Sequence, residues 1–152
     1  LKDALANGTV SSYVTDFPDE ELLKLDNVIA IPHLGASTPE AEDNCAIMAV
    51  NQIKNFLEYG NIKNSVNFPD CELDIMGATR IIIANKNVPN MVGQITSLLA
   101  GEKINIAGMI NRPKNDYAYN IINIDDAVSD DLLDKIRGID GVIMARMLHS
   151  NV

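Results

Sequence analysis

The stretch Ala30-Ile31-Pro32-His33-Leu34-Gly35-Ala36-Ser37-Thr38-Pro39-Glu40 reads as a strand end, a turn and a helix start in immediate succession. Asn27-Val28-Ile29-Ala30-Ile31 predicts a buried strand, and Pro32 biases Ile31 towards an extended conformation and ends the ladder. Gly35 lets the backbone come close to whatever His33 faces. Two caps fit the helix start: Ser37 with Glu40 as capping-box partner, or Thr38 with Pro39 at the first helical position. His33 is one of two histidines in the chain. On pattern alone, a histidine after a proline in a turn is an ordinary surface residue. Its place beyond the carboxyl end of a strand, where open sheets put their sites, is what makes it a candidate for acid–base chemistry.

The 152 residues suffice for one domain or two small ones. A hydrophobic content of 47% and a mean hydropathy of +0.02 fit a soluble globular protein. No apolar run approaches the length of a bilayer span, and no basic-then-apolar leader opens the chain, so no membrane partner is expected. The net charge of −9 argues against nucleic acid. It also leaves few cations to hold an anionic substrate. Cys45 and Cys71 are too few for a disulfide framework or a metal site, so no metal and a reducing, cytoplasmic setting are expected.

Taken in order, residues 1–7 read as a helix already under way, with Leu1, Ala4 and Leu5 on one face and Asn7-Gly8 as a left-handed end. An uncapped start implies the C-terminal part of a longer protein, and no Gly-x-Gly-x-x-Gly turn for a pyrophosphate occurs. Residues 9–15 form a short strand with Val10 and Val14 as core candidates. The acidic turn Asp16-Phe17-Pro18-Asp19-Glu20-Glu21 reads by itself as solvated acids at the start of a helix. A long helix over 38–59 carries an apolar stripe through Ala41, Cys45, Met48, Gln52, Ile53, Phe56 and Leu57 and stops at Gly60. Cys45 on that stripe is expected in the core. Residues 61–69 read as an extended return and 70–78 as a linker.

The last half predicts a second unit. Strands over 79–84, 104–110, 117–124 and 141–148 alternate with helices over 91–102 and from Ser129, its N-cap, through Ile136. Polar turns are expected over 85–90 and 111–116. The order β-α-β-β-α-β is that of a ferredoxin-like α+β sandwich. An RNA-binding version would need aromatic and basic residues on the sheet, and Val142-Ile143-Met144-Ala145 supplies none. Backbone amides near residues 88–91 can receive a carboxylate, and Asn87 and Asn105 can offer amide groups to a small ligand. Both asparagines can equally well only tie down turns.

Pro32-His33-Leu34-Gly35-Ala36-Ser37-Thr38, preceded by Leu25-Asp26-Asn27-Val28-Ile29, resembles the catalytic-histidine segment of the D-2-hydroxyacid dehydrogenases, and most of all the members that oxidise 3-phosphoglycerate. The resemblance implies the C-terminal end of a Rossmann-type NAD-binding domain over 1–38 and a helix and return to a substrate domain over 39–69. A linker over 70–78 and an ACT regulatory domain over 79–152 follow. It implies NAD as cofactor, His33 as catalytic base and Glu20 as its carboxylate partner, with Glu21 the alternative. Asp16 is the nearest match to a nicotinamide-contacting aspartate, and Gly35 lies against the cofactor. The family usually reads Asp-Val-Phe where this chain has Thr15-Asp16-Phe17.

Asn85-Lys86-Asn87-Val88-Pro89-Asn90-Met91, followed by Lys103-Ile104-Asn105-Ile106, resembles an ACT domain. In such domains of these enzymes, positions matching Asn85, Asn87, Val88 and Asn105 line an L-serine site between two chains. A homodimer or homotetramer is therefore expected. Asn85 stands where histidine is common and Asn90 where glycine is common. Two readings stay open for this half, a serine-binding regulatory module and a purely associative one. The chain by itself is expected to have no dehydrogenase activity, because the substrate-gripping arginine and the pyrophosphate turn are absent.

Overall fold

The computed structural model describes residues 1–149. The chain divides into two compact units, Leu1–Ile47 and Met48–Val152, with the division falling inside one long helix.

The first unit holds helix α1 (Lys2–Ala6), strand β1 (Tyr13–Thr15), a single 3₁₀ turn at Leu22–Lys24, strand β2 (Val28–Ala30) and the start of helix α2 (Pro39–Tyr59). β1 and β2 are parallel, with Tyr13, Val14 and Thr15 opposite Val28, Ile29 and Ala30. Leu5 and Leu22 are the buried anchors, and Gly8 (φ +79°) ends α1 in the left-handed region. The strands are shorter and barer than their apolar letters suggest. Val10 is only half-buried, Val14 and Ile29 are both 55% exposed, and Thr15 is the buried residue of β1. The α2 cap is Thr38, whose Oγ1 accepts from the Ala41 amide at 3.2 Å, with Pro39 at the first helical position. The apolar stripe of α2 forms as its period predicts, yet no residue of the helix is buried. Cys45 is exposed rather than in a core; Phe56, near the other end of the stripe, is partly buried against the cluster around Ile62, Cys71 and Tyr119.

The second unit is a four-stranded antiparallel sheet in the order β4-β5-β3-β6. Its strands are β3 (Thr79–Lys86), β4 (Ile106–Lys114), β5 (Tyr117–Ile124) and β6 (Val142–His149). Helices α3 (Met91–Gly101) and α4 (Asp130–Arg137) cover one face. Ile81, Ile83, Ile122 and Ile124 meet Ile95, Leu99, Leu132 and Ile136 there. This is the βαββαβ sandwich of the α+β class expected from the sequence. Ser129 occupies the N-cap position of α4 without a side-chain hydrogen bond, and Asp130 and Asp131 fill its first turn. β3 runs two residues further than its apolar letters, through Asn85 and Lys86, because β5 continues to pair with it. β4 likewise runs to Lys114. Pro113 is tolerated there because β4 is an edge strand.

Residues 61–78, expected as a return segment and linker, instead pack on the other face of this sheet. Ile62 and Cys71 form a bridge, and both are buried against Ile82, Ala84, Tyr119 and Ile121 together with Phe56, Phe68 and Leu73. Arg80, 2% exposed, secures the packing. Its Nη1 donates to the Tyr59 carbonyl (2.7 Å), its Nη2 to those of Leu73 and Asp74 (2.7 Å each), and its Nε to Asn123 Oδ1 (2.8 Å). Arg146 donates to the carbonyls of Leu57 (3.1 Å) and Phe56. Tyr119 donates its hydroxyl to the Gly60 carbonyl at 2.8 Å. The last carbonyls of α2 thus find two cationic side-chain partners on the sheet, as the helix dipole favours, and Tyr119 takes the carbonyl that follows them.

Candidate active-site loop and ligand-binding turn

In the first unit, Asp16 directly follows β1, and His33 stands three residues after β2. Both therefore lie beyond the carboxyl ends of two parallel strands. The Ile31 amide donates to the Thr15 carbonyl at 3.0 Å and carries the pairing one step further. Thr15 Oγ1 accepts from the Phe17 amide at 3.1 Å and shapes the turn that presents Asp16. His33 Nδ1 and Asp16 Oδ2 are 2.7 Å apart, and the Phe17 ring stands edge-on to the imidazole at 4.6 Å between centroids. With Nδ1–H donated to the carboxylate, a neutral imidazole presents Nε2 as an acceptor on an exposed ring.

The carboxylate on His33 is therefore Asp16, not Glu20 or Glu21. The reason lies in the turn that follows. Asp19 Oδ1 accepts from the amides of Leu22 (2.7 Å) and Glu21 (3.0 Å) and so nucleates the 3₁₀ turn. Lys2 pairs with Asp19 and Glu21. The Leu22 amide and the Lys2 ammonium together hold Asp19 below the usual carboxylate range. That arrangement fixes Asp19 and Glu21 away from the imidazole, and Glu20 is left exposed.

Gly35 makes no close approach, since a Cβ built there meets nothing within 4 Å. Asp16 is committed to His33. Among the described residues, Asp16 and Gly35 do not by themselves make a dinucleotide cradle, and no step through NAD follows from their geometry. Among the described residues there is also no cluster of three metal-ligating side chains, and no helix is long and apolar enough to cross a membrane.

In the second unit the four expected ligand residues are not brought together. Asn85 is a strand residue, 1% exposed, with its amide spent on the Lys86 carbonyl (2.6 Å) and on Asn120 (2.6 Å). Asn87 donates Nδ2 to the Asn115 carbonyl (3.0 Å) and its backbone amide to the Asp116 carbonyl (2.8 Å). The Val88 amide is used on the Lys86 carbonyl at 2.9 Å, and its side chain is exposed. Asn90 adopts the left-handed conformation (φ +68°) that would suit glycine, one that asparagine tolerates. Asn105 donates to Asp125 Oδ2 at 2.6 Å.

Lys86 pairs with Tyr117 at one end of the sheet, whereas Ile106 pairs with Ile124, opposite Thr79, at the other. Seven residues of strand, roughly 23 Å, separate the Asn87 turn from Asn105. A site using both ends needs two copies of the chain. A cavity of about 350 Å³ also opens between residues 52–68 and the sheet face that carries Ala84, Tyr119 and Met144. No carboxylate or histidine lines it.

Sequence reasoning passed over Arg80, Asn120 and Asn123. The signal available was a polar residue inside an apolar run, as in Tyr117-Ala118-Tyr119-Asn120-Ile121-Ile122-Asn123-Ile124. A buried polar group is a strong marker of a specific partner.

No protein-family model matches the chain. The D-3-phosphoglycerate dehydrogenase of Escherichia coli (strain K12) is 29% identical to it over 162 aligned positions, covering 98% of this chain and 40% of that enzyme. The D-3-phosphoglycerate dehydrogenase of Dictyostelium discoideum is 28% identical, covering 98% of this chain and 39% of that enzyme. The crystal structure of the ACT domain from GTP pyrophosphokinase of Chlorobium tepidum matches with a TM-score of 0.39 at 23% identity, covering 47% of this chain and 97% of that one. Over 98% of its length the chain is homologous to D-3-phosphoglycerate dehydrogenases, of whose length it spans about 40%, and its second unit is a βαββαβ sandwich.

Proposed function

We propose that this chain is part of an NAD-dependent dehydrogenase that oxidises D-3-phosphoglycerate at its 2-hydroxyl, the entry step to L-serine. The observation that carries the reading is the His33–Asp16 pair, 2.7 Å apart beyond the ends of parallel strands, in a chain homologous to these enzymes along its length. In this reading His33 Nε2 takes the hydroxyl proton, while Asp16 fixes the tautomer and favours the imidazolium that forms. NAD would supply the hydride acceptor, and its pyrophosphate-gripping turn is not in this sequence. The chain alone is inactive. Any phosphoglycerate-dependent reduction of NAD by the purified chain above a His33→Ala control contradicts this.

The second unit, in the same reading, joins subunits and senses L-serine. Two copies antiparallel across the β4 edge bring the Asn105 end of one sheet to the Asn87 turn of the other, and β4 has a free ladder to offer. Calorimetric titration of L-serine tests this: saturable heat that Asn105→Ala abolishes supports a feedback site. A dimer that takes up no serine reduces the unit to an association module.

A further inference from the structure

Three asparagine side chains form a continuous ladder inside the second unit. Asn111 Nδ2 donates to Asn120 Oδ1 at 2.5 Å, and Asn120 Nδ2 donates to Asn85 Oδ1 at 2.6 Å and to the Ile83 carbonyl at 3.4 Å. Asn85 Nδ2 in turn donates to the Lys86 carbonyl at 2.6 Å. The ladder crosses three strands: Asn111 faces Asn120 in the β4–β5 register, and Asn120 faces Ile83 in the β5–β3 register. Strand alternation puts Asn85 on the side of Ile83, Asn120 on that of Ile122, and Asn111 on that of Met109, all part of the helix-covered core. Asn85 and Asn120 are 1% and 0% exposed.

All three donors point the same way, from the edge strand towards the β3–α3 turn, so each bond polarises the next. The terminal acceptor matters most. The Lys86 carbonyl also accepts from the Val88 amide at 2.9 Å, an i→i+2 bond that closes a tight turn over Asn87. An apolar trio of similar shape would hold the sheet about as well, since exchanging both partners of a buried hydrogen bond for apolar groups is nearly neutral. Only the asparagine trio adds a side-chain donor to that carbonyl.

We infer that Asn111, Asn120 and Asn85 are positioning residues for the Asn87–Val88 turn. They transmit the placement of edge strand β4 to the backbone that would meet an amino-acid ligand. Their consequence for ligand rests on the serine reading above; their control of the turn does not.

The test is hydrogen exchange and L-serine calorimetry on the full chain and on the triple variant Asn85→Leu, Asn111→Leu, Asn120→Leu. The expected result is exchange at the Asn87 and Val88 amides faster by at least about ten-fold, with Ile121 and Ile122 unchanged, and serine affinity weakened in parallel. Unchanged exchange at the turn overturns the inference. So does uniform acceleration across the sheet, which would mark the ladder as merely structural. If the triple variant does not fold, Asn111→Ala removes the first donor alone. Turn exchange faster by about three-fold or more supports the inference, and no change overturns it. An unaltered chain that binds no serine defeats the ligand reading only, because the exchange result decides the ladder.

Discussion

His33 Nδ1 and Asp16 Oδ2, 2.7 Å apart, come from the ends of neighbouring parallel strands whose paired residues lie 15 apart in sequence. The pair is held by backbone pairing on one side and by the Thr15–Phe17 turn on the other. In the complete enzyme, Asp16→Asn should lower kcat by about 10-fold or more, since a mispaired tautomer weakens a general base worth about 10²–10⁴. Glu20→Gln should change it little. Steady-state kinetics on the two variants decide between the two carboxylates, and the reverse ranking contradicts the geometry.

Arg80 joins the end of α2, residues 73–74 and β5 through one buried guanidinium. Arg80→Met would leave the carbonyls of Tyr59, Leu73 and Asp74 without that donor, so we expect a loss of about 3 kcal/mol or more. Arg80→Lys should not rescue it, because an ammonium cannot span the planar fork. Urea unfolding of the second unit measures both, and a loss below about 1 kcal/mol for Arg80→Met would contradict the clamp.

Gly60 sits at φ +71° between α2 and the Ile62 bridge, and a Cβ there falls 1.5 Å from Ile82 Cδ1. Ile82 is fully buried and has little room to retreat. Gly60→Ala should therefore cost about 2 kcal/mol or more, from backbone strain and overpacking together. A thermal midpoint unchanged within error would show that the turn is looser than described.

Much of the second unit was legible because Ile81-Ile82-Ile83 and Ile121-Ile122 are short, β-branched runs bounded by turn residues, which favour buried strands over helix. Asn85 was read as a turn residue because asparagine normally marks turns. Its partner Asn120 lies 35 residues away, which no local pattern reports. Residues 70–78 looked like a linker since Cys71 and Leu73 are isolated apolar letters, and their burial depends on a sheet formed later in the chain. The α2 stripe shows the converse: its period was plain and its helix formed, but a period says nothing about what covers it. His33 was found as a turn residue, whereas the choice of Asp16 over Glu20 required the path of the turn after β1.

Burial pushes the Tyr119 hydroxyl from 10.0 up to about 12 and the Cys71 thiol from 9.0 up to about 11. Both groups keep their protons longer folded than unfolded, so their contribution is whole below pH 9. It falls between about pH 9 and 11 for Cys71 and between about pH 10 and 12 for Tyr119, by about 1.4 kcal/mol per unit each. The unfolding midpoint should drop steeply above pH 9. Of the four tyrosines, one should resist ionisation at 295 nm until well above pH 11 and vanish from the titration in Tyr119→Phe. Titration of all four together near pH 10 would contradict the buried environment.

His33 is the proposed general base, and NAD-dependent oxidation of D-3-phosphoglycerate by the complete enzyme and its His33→Ala variant tests that role most directly. The prediction is turnover by the unaltered enzyme and a kcat lower by about 10²–10⁴ in the variant, with KM little changed. A variant that retains full kcat would remove His33 from the chemistry and with it the functional reading of this chain.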